Sequence, residues 1–100
     1  MVALHRPETD TSFLKELGCT LFEGHLGDDP TDLAVRIEGC RWAVHCAARV
    51  YTGRDWSTVR AVNVDGTRNT LEAAARAGVS HAVHVSSVAV YGQTSGPMDE

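Results

Sequence analysis

"NVDGTRNTLEAAARAGVSHAVHVSSVAVYG", residues 63–92, holds the transition on which the fold turns. Its first half lies in a long helix predicted from about Asp55 to Ala77, with apolar positions at Val59, Val62, Val64, Leu71, Ala74 and Ala75. Such a helix spans about 35 Å at 1.5 Å per residue, and Gly78 stops it. Next comes a short apolar strand, His81-Ala82-Val83-His84-Val85, which ends at two hydroxyls, Ser86 and Ser87. A helix that feeds directly into an apolar strand is half of a β-α-β unit. Gly66 stands mid-helix, where glycine costs stability relative to alanine. That cost is expected to reflect close approach by another backbone or a ligand, or simple helix–strand contact.

Upstream, the same alternation repeats. Val2-Ala3-Leu4-His5 is short and apolar, and Arg6-Pro7 ends it. Thr11 to Leu17 has helical spacing at Phe13, Leu14 and Leu17, with Gly18 as its stop. A second strand is predicted over 19–23, and a helix opens at Asp29-Pro30, where proline suits the first turn. That helix presents Leu33, Ala34 and Ile37 and closes at Gly39. Trp42 to Cys46 is the third strand, His81 to Val85 the fourth, and 93–100 a polar loop. The order β-α-β-α-β-α-β with short connections predicts a parallel sheet flanked by helices. The strands near 2–5, 19–22, 42–46 and 81–86 are expected in one sheet. In such sheets ligands bind beyond the C-terminal strand ends. Arg6, His25, Ala47-Ala48 and Ser86-Ser87 all fall there.

Composition agrees with one soluble domain over residues 1–100: 43% hydrophobic and 22% charged. A net charge of −4 with nine scattered basic residues argues against a nucleic-acid or anionic-membrane partner. Cys19, Cys40 and Cys46 are odd in number and lack C-x-x-C spacing, which predicts a reducing, cytoplasmic setting and no zinc site. His81 and His84 should face opposite sides of the sheet, so no metal is expected there. No run approaches 18 apolar residues, so no membrane span is expected. His45 reads as a core or supporting histidine, Trp42 and Trp56 as packing residues, and Tyr51 to Asp55 as a loop within reach of a substrate.

Four stretches in order, "EGHLGDD" (23–29), "VHCAA" (44–48), "NVDGTRNTLEAAARAGV" (63–79) and "VSSVAVYG" (85–92), resemble the extended short-chain dehydrogenase/reductase family, the NAD-dependent epimerases/dehydratases. The resemblance covers essentially the whole chain. It implies a Rossmann-like parallel sheet with flanking helices, here without the family's first βα unit and its C-terminal substrate part. It assigns Ser87 to the substrate's reacting oxygen and Ser86 to the nicotinamide side. Ala47 and Ala48 become the small residues under the cofactor's ribose and phosphates, and Asn63 and Thr67 belong to the helix beneath that site. Arg6, at the end of the first strand, suits the 2′-phosphate of NADP where an acidic residue would suit NAD; taken alone, it reads as a solvated surface arginine. His25, before Leu26, stands where the family has an acidic residue that accepts from the adenine amino group.

Two family motifs are missing: the glycine-rich G-x-x-G-x-x-G that cradles pyrophosphate, and the Tyr-x-x-x-Lys proton-transfer pair. Tyr91 matches the fixed Tyr-Gly after the serines and is not that tyrosine. The chain alone is therefore expected to be catalytically inert and to bind dinucleotide weakly or not at all. The functions implied are part of an NAD(P)-dependent oxidoreductase, epimerase or dehydratase acting on a hydroxyl or keto group of a nucleotide sugar or other small carbonyl substrate, a non-catalytic NADP-binding sensor, or a truncated product without independent function. A homodimer through the long helix is also implied. Without the other motifs, Ser86 and Ser87 would read only as hydroxyls that satisfy a strand end.

Overall fold

The computed structural model describes residues 1–92 and Gly96; the loop expected over 93–100 otherwise lies outside the described residues. Strand β1 (Val2–His5) is followed by helix α1 (Ser12–Glu16), β2 (Thr20–Glu23), α2 (Pro30–Arg36) and β3 (Trp42–His45). A continuous helical run follows: α3 (Trp56–Arg60), a π-helical turn at Ala61–Asp65, and α4 (Gly66–Arg76). Strand β4 (His81–His84) and a 3₁₀ turn (Val88–Tyr91) complete the described structure. The expected α/β alternation is met element by element. The π-helical turn and the 3₁₀ turn have no periodicity of their own to announce them.

Pairing is parallel throughout. Strand β1 pairs with β2 with Leu4 beside Phe22, and β3 pairs with β4 with His45 beside His84. The single sheet expected is a correction: the described strands form two separate parallel pairs, and β1 and β3, the two strands between which the family's order places its first strand, are not hydrogen-bonded to each other. The helices bridge the pairs instead. Asp29 caps α2 by accepting from the Thr31 backbone N–H at 2.7 Å, and Pro30 occupies the first turn, where its missing N–H costs nothing. The cap points α2 so that Leu33 and Ala34 meet Ala73 of α4 in a buried cluster, with Leu4, Phe22, Ile37 and Ala77 packed around it. Alanines at 73 and 74, both almost fully buried, let the two helices approach closely.

Gly78 ends α4 with φ of 73°, a left-handed conformation that glycine adopts without strain. Its N–H donates to the Ala75 carbonyl, and the Val79 N–H donates to that of Ala74, so the last carbonyls of the helix are satisfied. The turn drops the chain into β4. One face of the β3–β4 pair stays open: Trp42 is 60% exposed, and Val44, Val83 and Val85 share that side. Trp42 is therefore no core residue. It stacks on His81, its register partner, at 4.4 Å between ring centroids. Trp56 is also exposed and meets Tyr51 edge-to-face. His81 and His84 do face opposite sides, His84 stacking on His45.

Candidate functional site

A cavity of about 630 Å³ opens where β1 ends and the loops after β2 and β3 begin. Arg6, His25, Leu26, Ala47 and Ala48, five of the residues singled out in the sequence, line it. His5 and Arg49 line it as well, and no aspartate or glutamate does. In a chain of net charge −4 this is a cationic concavity, suited to an anionic ligand. Five small residues, Gly24, Gly27, Ala47, Ala48 and Ala61, are among those that line it.

The loops after β2 and β3 are held from the helical run. Leu26 sits against Gly66 so closely that a Cβ built there would lie 2.7 Å from the Leu26 Cβ. The neighbour at Gly66 is thus not the backbone, ligand or strand expected but a side chain of the loop after β2. The Asn69 amide donates to the Leu26 carbonyl at 3.0 Å, pinning the same residue from the next turn. Asp28 tightens this loop by accepting from the His25 backbone N–H at 2.8 Å. The β3 loop is clamped by Asn63. Its Oδ1 accepts from the Arg49 N–H at 2.8 Å, and its Nδ2 donates to the Arg49 carbonyl at 2.9 Å. The amide of Asn63 is occupied there, so it shapes the cavity by holding Arg49. On the first wall, the Arg6 carbonyl accepts from the Thr9 N–H and from His5 Nδ1, both at 3.0 Å, which fixes the base of the Arg6 side chain.

Ser86 and Ser87 lie beyond the end of β4 and do not line this cavity. Ser87 caps the 3₁₀ turn by accepting from the Ala89 N–H at 3.2 Å. That bond uses a lone pair on Oγ, so the hydroxyl hydrogen stays available to donate outward.

Between the strands and the helix lies His45, 4% exposed, matching its reading as a supporting histidine. The Thr67 hydroxyl donates to the Asn63 carbonyl at 2.8 Å, so its oxygen accepts from His45 Nε2–H at 2.9 Å. That relay assigns the neutral His45 tautomer and leaves Nδ1 to take any added proton. Burial, and then the neighbouring His84, hold the His45 pKa below its ordinary value of 6.5. A histidine with a depressed folded pKa binds fewer protons folded than unfolded, so its contribution is present above pH 6.5 and is lost as pH falls below it. Melting temperature is therefore expected to fall between pH 7 and pH 5. The His45 contribution to the slope is at most one proton, about 1.4 kcal/mol per pH unit. The measurement is thermal unfolding across that range for wild type and His45→Gln; an equal slope in both would remove His45 as the cause.

Arg49 and Asn69 were not legible as site residues, and Asp55 was legible only as the end of the loop 51–55 expected within reach of a substrate. The only local signal is a cation placed directly after the small pair Ala47-Ala48. The described residues contain no helix long and apolar enough to cross a membrane and no cluster of potential metal ligands.

Comparison with known proteins adds a family. The model of an NAD-binding family described as male sterility protein matches residues 19–100. The crystal structure of gox2253 is similar to this chain, with 38% identity and a TM-score of 0.75 over 92% of this chain. The match covers 28% of that protein, so the chain spans little more than a quarter of its length. No curated protein matches. The resemblance to short-chain dehydrogenases and the Rossmann-like character of the fold are both upheld.

Proposed function

This chain belongs to the male sterility protein family of NAD-binding domains, and we propose on that premise that it forms part of an NADP(H)-preferring oxidoreductase, epimerase or dehydratase acting on a hydroxyl or keto group of a small molecule. The observation that carries the reading is the cationic cavity at the strand ends, lined by Arg6, Arg49, His5 and His25 without a carboxylate. A dinucleotide fits the residue types present. Ala47, Ala48, Gly24 and Gly27 allow a ligand to lie against backbone, and the arginines answer phosphate charge.

The bound nicotinamide would supply hydride transfer, the part of the chemistry that belongs to the cofactor. The chain's own residues bind and orient. Arg6 pairs with the 2′-phosphate, its side chain rooted in the turn closed by Thr9 and His5. His25 and Leu26 border the adenine, and a neutral imidazole nitrogen accepts from the adenine amino group. Asn63 keeps the Ala47–Arg49 backbone in place. Ser86 faces the nicotinamide side, and Ser87 donates its free hydroxyl hydrogen to the reacting oxygen of the substrate.

The test is fluorescence titration of the protein expressed from its complete reading frame with NADPH and NADH. Saturable binding is expected, with NADPH tighter by roughly tenfold or more, as one charge-assisted phosphate contact contributes about 1.5–3 kcal/mol. Equal affinities, or tighter NADH, would overturn the preference; no binding of either would overturn the reading.

A further inference from the structure

We propose that Arg49 is a second phosphate-recognising residue of this cavity, held by Asp55 until an anionic ligand takes its place. The proposal rests on the dinucleotide reading above and adds a residue that neither the motifs nor the strand-end rule pointed to.

Arg6 and Arg49 reach the same cavity from different elements, one from the end of β1 and one from the loop after β3. Two separate cationic walls suit a ligand with more than one phosphate group. The backbone of Arg49 is fixed at both its N–H and its carbonyl by the Asn63 amide. Its side chain is 48% exposed. Its present partner is Asp55, but only one carboxylate oxygen is used. Asp55 Oδ2 accepts from Arg49 Nε at 3.0 Å and from Nη2 at 2.6 Å. Asp55 Oδ1 is buried and has no hydrogen-bond partner among the described residues. The parallel two-oxygen fork that makes arginine–carboxylate pairs strong is not formed.

Asp55 also has somewhere else to go. It is the N-cap residue of α3, yet its side chain makes no capping hydrogen bond there. Aspartate at that position ordinarily accepts from a first-turn backbone N–H. Released from Arg49, the carboxylate can turn to the uncapped helix end, which offsets the loss of the ion pair. The pair itself is partly exposed and contributes little. Exchange of Asp55 for a ligand phosphate is thus favourable on both sides: the arginine gains a doubly usable anion and the helix gains its cap.

The experiment titrates wild type, Arg49→Gln, Arg49→Lys, Asp55→Asn and Arg6→Gln, each from the complete reading frame, with NADPH, NADH and inorganic pyrophosphate, at several salt concentrations. Arg49→Gln is expected to weaken binding about tenfold and to flatten its salt dependence, while Arg49→Lys retains most of the affinity. A loss shared by NADPH, NADH and pyrophosphate places Arg49 on the pyrophosphate; a loss confined to NADPH places it on the 2′-phosphate. Asp55→Asn is expected to bind at or above wild-type affinity, because asparagine caps a helix as well as aspartate does. Weaker binding by Asp55→Asn would make the pair a staple of the loop and overturn the proposal. So would Arg49→Gln with wild-type affinity and salt slope; if Arg6→Gln then still weakens NADPH, the dinucleotide reading stands without Arg49. Failure of wild type to bind any of the three probes would overturn both.

Discussion

Arg6→Asp is expected to move the cofactor preference from NADP(H) toward NAD(H), with NADPH affinity falling by roughly ten- to a hundredfold. The lower bound is the loss of one charge-assisted hydrogen bond to phosphate, about 1.5 kcal/mol. The upper bound adds repulsion between the new carboxylate and the 2′-phosphate. NADH gains, because a carboxylate at a strand end accepts from the ribose hydroxyls that NADP carries phosphorylated. The substitution should leave the fold intact: Arg6 is exposed, and the turn after β1 is held by its carbonyl rather than its side chain. Parallel titrations of wild type and variant with NADPH and NADH decide the matter. A ratio unchanged by the substitution would remove Arg6 from the site.

Gly66→Val is the second substitution with a large expected effect, here on stability. Helix propensity alone favours replacing a mid-helix glycine, by nearly 1 kcal/mol for alanine. Packing opposes it. A Cβ at 66 would stand 2.7 Å from the Leu26 Cβ and 3.1 Å from its Cδ1, and a Cβ cannot rotate out of the way. Leu26 cannot retreat easily, since its carbonyl is held by Asn69. Overpacking of this kind costs about 1–3 kcal/mol, occasionally more, and the two added γ-methyls place valine at the upper end. For a domain of this size each kcal/mol shifts Tm by about 4–8 °C, so a fall of roughly 10 °C or more is expected. Gly66→Ala should cost less in a Leu26→Gly background than in wild type, a coupling that thermal unfolding of the double-mutant cycle measures. Independent effects would mean that Leu26 is not what Gly66 accommodates.

Gly66 also marks the boundary of what the sequence discloses. That a glycine interrupts the helix there is plain from residues 55–77, and it demands a neighbour. Which neighbour it is depends on Leu26, forty residues earlier in a different loop. Asn63 shows the same boundary. Its place beneath the strand ends was legible from the family resemblance; its use as a clamp on the Arg49 backbone was not. Trp42 was misread because a tryptophan in an apolar strand ordinarily packs, whereas this strand pair leaves one face uncovered.

The sequence by itself determined the order and type of the elements, the places where they stop, and the strand ends at which Arg6, Ala47-Ala48 and Ser86-Ser87 would emerge. These are local properties: hydrophobic period, glycine stops and a proline at a helix start act within a few residues. The tertiary structure decided which residues share a cavity and which do not. It brought Arg49 and Arg6 to the lining of one cavity, left the serines outside that cavity, buried His45 against Thr67, and split the expected sheet into two parallel pairs. The physical reason is that the helical run 56–76 reaches the loops after both β2 and β3. Gly66 and Asn69 hold the loop after β2 and Asn63 holds the loop after β3, through contacts that no local pattern encodes.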